Sequence, residues 1–340
     1  MSKECVEQVE GAGASVPMTD ISNIDVPEGT DELSRSTRRA WRDRLNDASS
    51  RKMITGVLAT LVGGSFWGFS GTSASFLFDT YHVDTLWLMS VRQILAGLLF
   101  MAVVVTRDRE RLIKLWTTPA DRKQLLLFTA FGLLFNQFCY LSAVRLTNAG
   151  TATVLQCLQL VIIMGYACVT DRRMPRTREV IGIGLALGGT FLIATGGDPT
   201  SLNISPLGLA AGLMCAVSAA CMAVIPAKIL PEYGSPIVTG SAMLTAGIIT
   251  CTIVQPWAHM PALDAAGVEA LAVFVFVGSF LAYMLYMQGV KDIGSVRASL
   301  IGTVEPVSAT ITSAVMLGTV FLPTDLIGFA MIIVMMFLTV

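Results

Sequence analysis

The sequence predicts an all-α membrane protein with ten transmembrane helices, arranged as two inverted five-helix repeats. Hydrophobic residues make up 54% of the chain and charged residues only 14%, against about 25% charged in ordinary soluble proteins. The hydrophobic residues form blocks of roughly 18–25 residues, the length that crosses a bilayer. One stretch of the first half recurs in the second, and Lys and Arg collect in alternate loops. These three observations predict the fold class.

The first 52 residues form a polar and then basic tail. Its composition predicts disorder over Met1–Glu32. Ser34–Lys52 is basic and places Trp41, Leu45 and Ala48 at helical spacing. This segment is either an interfacial helix on the inner membrane surface or a solvated tether, and the sequence leaves both open.

Ten apolar stretches follow the tail, and the distribution of Lys and Arg orients them. With the N-terminus inside, all but two of the 23 Lys and Arg residues lie in the tail or in inner loops. The exceptions are Arg145, in an outer turn, and Arg92, within the second span. The expected location is the cell (cytoplasmic) membrane, with both termini cytoplasmic. The predicted spans are 54–78, 85–105, 122–142, 150–170, 178–196, 206–228, 236–256, 267–289, 297–319 and 323–340.

An internal repeat relates the two halves. A shift of 146 residues carries Phe128 onto Phe274, Tyr140 onto Tyr286 and Gln159 onto Glu305, without gaps over two helices and a turn. Five spans per half is an odd number, so the second half enters from the opposite side and the repeats are inverted. The predicted divisions are residues 1–52 for the tail, 53–198 for the first repeat and 199–340 for the second.

Three motifs carry a family resemblance. They are Arg92-Gln-Ile-Leu-Ala-Gly-Leu-Leu, Thr147-Asn-Ala-Gly-Thr-Ala-Thr-Val, and Arg297-Ala-Ser-Leu followed by Glu305-Pro306. Together with ten spans, they resemble the EamA-type branch of the drug/metabolite transporter (DMT) superfamily. The resemblance implies an inverted-repeat carrier of small polar metabolites, often outward, with a cavity lined mainly by helices 1, 3, 4, 6, 8 and 9. The chain departs from the family pattern at Gln159-Leu160, where the first repeat usually has a proline.

Glu305 is the strongest candidate for a functional residue. A charge at mid-bilayer costs roughly 2.5–3.5 kcal/mol on insertion scales, so such a residue usually faces a cavity or a partner. Glu305 could bind a substrate amine or exchange a proton, or it could be a structural acid that hydrogen-bonds a neighbouring helix. Pro306, directly after it, would free a backbone carbonyl within the span.

Further polar and aromatic side chains would converge on a midplane cavity if their helix faces point inward. The alternative for each is core packing with a satisfied polar group. Arg92 is favoured as a structural residue, paired with a carboxylate or with backbone carbonyls. The predicted substrate-binding set, besides Glu305, is Trp67, Ser70, Asn136, Tyr140, Gln156, Gln159, Tyr283 and Tyr286.

Three pairs of glycines have the spacing that lets helices approach closely. They are Gly64 with Gly68, Gly184 with Gly188, and Gly208 with Gly212. Packing is the favoured role for each pair.

The predicted function is secondary transport of small polar metabolites such as amino acids, with alternating access and export as the favoured direction. The expected partners are a small-molecule substrate and the lipid bilayer. Coupling to protons and assembly as a homodimer stay open. No catalytic residue, cofactor, metal site or nucleic-acid partner is expected, since the cysteines lack metal-ligand spacing and no phosphate-binding loop is present.

Two other classes compete with the carrier. One is a non-transporting membrane sensor or scaffold, which the long tail would suit. The other is an intramembrane serine protease, suggested by Gly68-Phe-Ser70-Gly71. A serine nucleophile needs a base within reach, and the two histidines, His82 and His259, fall in predicted outer loops.

Overall fold

The structure is a computed structural model that describes residues 33–170, 172, 174, 176–198 and 203–339, with side chains from residue 51 onward except at residues 167, 295, 296, 299, 300 and 339. The predicted disorder of Met1–Glu32 lies outside these residues, and so do the side chains of the predicted interfacial helix. The chain divides into two units, residues 1–50 and residues 51–340. Over the described ranges, every regular element is helical.

Sixteen α-helices lie within the described residues. In the first part of the chain they are α1 (Leu33–Tyr81), α2 (Thr85–Arg107), α3 (Arg109–Thr117), α4 (Pro119–Leu127), α5 (Phe135–Leu146), α6 (Ala149–Gln156), α7 (Gln159–Thr170) and α8 (Thr177–Thr195). In the second part they are α9 (Pro206–Val224), α10 (Ile229–Tyr233), α11 (Ser235–Val254), α12 (Ala265–Ala272), α13 (Ala282–Ile293), α14 (Ser295–Gly302), α15 (Val304–Leu317) and α16 (Pro323–Thr339).

The apolar helices are long enough for a multi-pass membrane protein. Within the described residues, eight helical stretches have the length and composition to cross a bilayer, and two shorter apolar helices, Val304–Leu317 and Pro323–Leu338, follow them. The eight are Arg51–Tyr81, Thr85–Arg107, Pro119–Leu146, Ala149–Thr170, Thr177–Thr195, Pro206–Tyr233, Ser235–Val254 and Ala265–Ile293.

The predicted span 297–319 is not one continuous helix. It is interrupted at Thr303, between α14 and α15. Pro306 has no N–H to donate to the carbonyl of Gly302, which is where α14 ends. Pro306 occupies the first turn of α15, so it lies at a break within the predicted span.

An equivalent interruption separates α6 from α7, although no proline is present there. The N–H of Leu158 donates to the carbonyl of Leu155 at 3.1 Å, and that of Leu160 donates to the carbonyl of Cys157 at 3.2 Å. These tighter bonds replace the α-helical pattern over a single turn. The interruption at Cys157 and the one at Thr303 are related by the offset that carries Phe128 onto Phe274.

Two segments of π-helix also occupy equivalent places. Phe128–Leu134 leads into α5, and Val273–Leu281 leads into α13. In the second segment, the hydroxyl of Ser279 donates to the carbonyl of Phe274 at 3.3 Å. Widened turns of this kind often occur at functional sites.

Helices α2 and α11 pack closely in antiparallel directions. A Cβ atom added at Gly97 would lie 2.5 Å from the backbone nitrogen of Leu244, and one added at Gly247 would lie 2.5 Å from the Cα of Ile94. The residue order reverses between the two contacts, which defines the antiparallel direction. Helices α8 and α16 meet in the same way, where Gly189 faces the carbonyl of Gly328.

The apolar part of α1 packs against helices from the C-terminal part of the chain. A Cβ at Gly63 would lie 2.8 Å from the carbonyl oxygen of Ala282 in α13, and one at Gly68 would lie 2.5 Å from the carbonyl oxygen of Glu305 in α15. Helix α9 makes the reciprocal contact with α5, where the amide of Asn136 donates to the carbonyl of Cys215 at 3.3 Å.

Two tyrosines at helix ends form hydrogen bonds to residues that are distant in the sequence. The hydroxyl of Tyr81, the last residue of α1, donates to the carboxylate of Asp264, the N-cap of α12. The hydroxyl of Tyr233, the last residue of α10, donates to the carboxylate of Asp121 in the first turn of α4 at 2.6 Å. Each tyrosine therefore connects distant parts of the chain.

The predicted roles of the glycine pairs are confirmed for two pairs. Gly64 and Gly68 lie against α14 and α15, and Gly208 and Gly212 lie against the side chains of Thr147 and Leu155. The prediction is wrong for Gly184, because a Cβ there would meet no atom within 4 Å among the described residues.

Candidate functional site

A cavity of about 420 Å³ lies among the apolar helices. All nine residues of the predicted substrate-binding set contribute to its wall, and so do Arg92 and Pro306. These eleven residues are Trp67, Ser70, Arg92, Asn136, Tyr140, Gln156, Gln159, Tyr283, Tyr286, Glu305 and Pro306. Both helix interruptions border the cavity.

An apolar cluster bounds one end of the cavity. On α1 the wall residues are Trp67 and Ser70, whereas the cluster residues Leu77 and Phe78 lie closer to Tyr81. The same order holds on α5. We call this group the apolar cap, and it comprises Ala74, Leu77, Phe78, Trp87, Leu88, Leu141, Val144 and Phe274, all at most 5% exposed. The cap lies between the cavity and the turn that joins α1 to α2.

The guanidinium of Arg92 is held from three directions. Its Nε donates to the hydroxyl of Ser279 at 2.7 Å, and its Nη1 donates to the amide oxygen of Gln137 at 3.2 Å. Its Cζ lies 4.4 Å from the ring centroid of Phe274, a cation–π contact. The expected partners were a carboxylate or backbone carbonyls. The direct partners are instead a hydroxyl, an amide and an aromatic ring, whereas the carboxylate of Glu305 interacts with Arg92 electrostatically without direct contact.

Glu305 lies in the first turn of α15, directly after the interruption at Thr303. Its carboxylate accepts no hydrogen bond and forms no ion pair within 4.0 Å among the residues that the structure describes. The interpretation of Glu305 as a structural acid that hydrogen-bonds a neighbouring helix therefore lacks support. A cavity-facing carboxylate is instead available to a solute.

The aromatic side chains form one continuous part of the wall. The rings of Trp67 and Tyr286 have centroids 4.9 Å apart. The hydroxyl of Tyr140 lies 3.3 Å from that of Thr153, and the hydroxyl of Tyr283 lies 2.8 Å from that of Thr239. Rings with polar tips suit amphipathic solutes.

The amide side chains divide into two groups. The amide of Asn136 donates to the carbonyl of Cys215 and, at 3.2 Å, to the hydroxyl of Ser218, so its main role is to join α5 to α9. Gln156 and Gln159 flank the other interruption, are partly exposed, and have no side-chain hydrogen bond within the described part of the chain. These two amides remain available to a solute.

Four polar residues of the cavity wall are missing from the predicted substrate-binding set: Gln137, Thr153, Thr239 and Ser279. Gln137 and Ser279 are the hydrogen-bond partners of Arg92. The only sequence feature that could have identified them is a polar residue within an apolar stretch. This feature is weak for serine and threonine, because their hydroxyl groups often form hydrogen bonds to carbonyls of their own helix.

The protease interpretation fails on geometry. Ser70 donates to the carbonyl of Phe274 at 3.5 Å. Both histidines, His82 and His259, line a separate pocket together with Asp84. No base lies within hydrogen-bond reach of Ser70 among the described residues. The same part of the chain contains no group of three or more His, Cys, Asp or Glu arranged to hold a metal ion.

Comparison with known proteins gives the family. The model of the EamA-like transporter family matches residues 54–195 and, separately, residues 206–340. The uncharacterized inner membrane transporter YicL of Salmonella typhimurium is 30% identical over 285 residues, which cover 84% of this chain and 94% of the relative. The uncharacterized transporter YwfM of Bacillus subtilis is 23% identical, with coverage of 81% and 90%.

A solved crystal structure shares the fold. The TM-score is 0.56 at 18% sequence identity, and the match covers 85% of this chain and 95% of that chain. The family matches extend over most of the sequence and agree with the apolar helices and the central cavity. The chain therefore belongs to the EamA-like transporter family of the DMT superfamily, and it is a multi-pass membrane transporter.

Proposed function

We propose that this protein is a secondary carrier that moves small polar metabolites such as amino acids by alternating access through the central cavity. The observation that carries the proposal is the composition of the wall. One guanidinium, one carboxylate, two available amides and several aromatic rings face a common space within apolar helices. Polar groups at such depth are costly unless they meet water, a partner or a solute.

The proposed architecture is two inverted five-helix repeats, residues 53–198 and 199–340, with ten crossings. Helices α14 and α15 together make the ninth crossing, and α16 makes the tenth. The antiparallel pairing of α2 with α11 and of α8 with α16 supports inversion, because a two-fold axis in the membrane plane sets equivalent helices in opposite directions. The two family matches and the equivalent interruptions also support it.

The proposed direction is export, from the cytoplasm outward. The positive-inside rule assigns the turn between α1 and α2 to the outer face and both termini to the cytoplasm. The apolar cap lies on the side of that turn, and the proposal of export follows the resemblance to the family, in which transport is often outward. The inner-membrane location follows the name of the Salmonella relative.

Proton coupling is a further part of the proposal, with Glu305 as the proton site. A carboxyl group can take up and release a proton, and the carboxylate of Glu305 has no hydrogen-bond partner among the described residues. Uptake of a proton at Glu305 would then alternate with uptake of substrate.

Counterflow in liposomes tests the carrier directly. Purified protein is reconstituted with a high internal concentration of each unlabelled metabolite, and entry of the labelled metabolite is followed. Transient accumulation of at least one amino acid or related solute is expected. A sensor or scaffold moves nothing, so the absence of counterflow for every solute, under every ion gradient, would contradict the proposal.

A further inference from the structure

We propose that the cavity has two charged subsites, Arg92 for a carboxylate and Glu305 for an ammonium group, and so selects α-amino acid zwitterions with an apolar side chain. The inference rests on the proposed function and deepens it. It also assigns Ser279 and Gln137 as positioning residues for the guanidinium.

The first step is the state of the Arg92 guanidinium. An arginine side chain has five N–H donors in a planar fork. The bonds to Ser279 and Gln137 use the Nε donor and one Nη1 donor, and the remaining donors have no partner among the described residues. Phe274 covers one face of the group. The fork is therefore fixed by three neighbours, and Arg92, as a residue of the cavity wall, keeps donors that are free for a solute.

The second step is charge. Arg92 is only 7% exposed, and a buried cation without an anion is unfavourable. Within the described residues, no carboxylate lies within 4.0 Å of its nitrogens. A planar fork with free donors matches a carboxylate in the bidentate arrangement. Glu305 interacts with Arg92 only across the cavity, so an incoming carboxylate would supply the direct contact that the guanidinium lacks.

The third step is the position of Glu305. It lies on the wall of the same cavity, yet it forms no ion pair with Arg92 within 4.0 Å. Two opposite charges that share a small cavity without touching fit a solute that carries both charges. An amine alone or an acid alone would make a direct contact with only one of the two groups.

The fourth step is the apolar part of the wall. Trp67 and Tyr286 stack beside the turn that carries Glu305, since a Cβ at Gly302 would lie 3.3 Å from the ring of Tyr286. Rings at this place can cover an apolar side chain and also attract an ammonium group. A cavity of about 420 Å³ accommodates an amino acid of any ordinary size.

The hydrogen bonds around Ser279 fix the orientation of its hydroxyl group. The hydroxyl of Ser279 accepts from Arg92 and donates to the carbonyl of Phe274, in the π-helical segment. Because this donation occupies the hydroxyl hydrogen, the lone pairs of the oxygen face Arg92. Loss of the hydroxyl would leave the guanidinium less well oriented without removing its charge.

The test measures binding of matched probes to the purified full chain. One triplet is L-phenylalanine, 2-phenylethylamine and 3-phenylpropionate, and a second is L-leucine, 3-methylbutylamine and 4-methylpentanoate. In at least one triplet the amino acid should bind roughly 10- to 100-fold more tightly than both analogues, the factor for hydrogen bonds to charged groups. Arg92→Lys should weaken binding of the amino acid and leave the amine unaffected. Glu305→Gln should weaken the amino acid and leave the acid unaffected.

Ser279→Ala tests the positioning role, and Ser75→Ala is its matched control. Ser75 is a buried serine whose hydroxyl has no partner among the described residues and which lies outside the cavity wall. Ser279→Ala should weaken binding of the amino acid several-fold, and Ser75→Ala should leave it unchanged, with similar unfolding midpoints for both. Equal effects of the two variants would remove the positioning role.

Two results would overturn the assignment of the subsites. One is an analogue with a single charge that binds as tightly as its amino acid. The other is counterflow of some other solute by a protein that binds neither amino acid. In both cases the carrier function stands and the zwitterion inference falls. If no solute moves at all, the proposed function fails instead.

Discussion

Replacement of Gly68 by alanine should separate α1 from α15 and distort the cavity. The new Cβ would lie 2.5 Å from the carbonyl oxygen of Glu305 and 2.6 Å from the backbone nitrogen of Ala309. Ordinary van der Waals contact begins at 3.4 Å, so the first contact is 0.9 Å too short. Both neighbouring atoms belong to the backbone, and no side chain can rotate away to relieve the overlap.

The expected magnitude combines two opposing effects. Overpacking costs about 1–3 kcal/mol, and replacing glycine with alanine within a helix returns about 0.5–1 kcal/mol. The net loss of unfolding free energy should lie between about 0 and 2.5 kcal/mol, with a central value of about 1 kcal/mol. Because the displaced turn carries Glu305, counterflow should also slow.

Gly184→Ala is the matched control, since its Cβ would meet nothing within 4 Å among the described residues. It should leave the unfolding free energy unchanged or raise it by at most about 1 kcal/mol. The assay is unfolding by sodium dodecyl sulfate in mixed micelles, with counterflow measured on the same preparations. If Gly68→Ala matches the wild type, or if both variants lose the same stability, the close approach of α1 and α15 is refuted.

Three further predictions concern hydrogen bonds and titration. Tyr233→Phe should lower the unfolding free energy by about 1 kcal/mol, because it removes the hydrogen bond to Asp121. The control, Tyr166→Phe, at a residue that is 55% exposed, should leave the unfolding free energy unchanged. Equal losses in the two variants would refute the role of the hydrogen bond. The hydrogen bonds from Tyr81 and from the N–H of Gly267 lower the pKa of Asp264 from 3.8. Its stabilising contribution is therefore complete above pH 3.8 and lost as the pH falls through the lowered pKa, so wild type should melt at a higher temperature than Asp264→Asn above that pH, and the two melting temperatures should converge below it. Glu305→Gln should abolish the pH dependence of counterflow, and an unchanged pH profile would exclude Glu305 as the proton site.

Much of the cavity wall is predictable from sequence because polar residues in apolar spans are few. Glu305 and Gln159 stand out against their apolar neighbours, and the repeat offset relates them. The partners of Arg92 are not predictable, because Gln137 and Ser279 come from two other helices. Nothing in a single sequence tells which helices are adjacent.

The helix interruptions and the glycine contacts are likewise only partly predictable from the sequence. Pro306 explains the interruption at Thr303, because proline has no backbone N–H to donate. The interruption at Cys157 has no proline, and no sequence feature that would predict it is evident. Gly184 and Gly68 occur in the same spacing pattern, yet only Gly68 faces a neighbour. The pattern establishes that one face of a helix is small, and the presence of a neighbour at that face depends on the tertiary structure.

The packing of α1 against α13 has a consequence for biogenesis. During translation, Gly56 emerges long before its contacts Asp292 and Ile293 have been synthesised. The grooved face of the first helix thus enters the bilayer without its final neighbour, and lipid or the insertion machinery must occupy it until residues 292 and 293 have been synthesised. Mutations near residues 292 and 293 should therefore change the final packing of α1, even though α1 is synthesised before them.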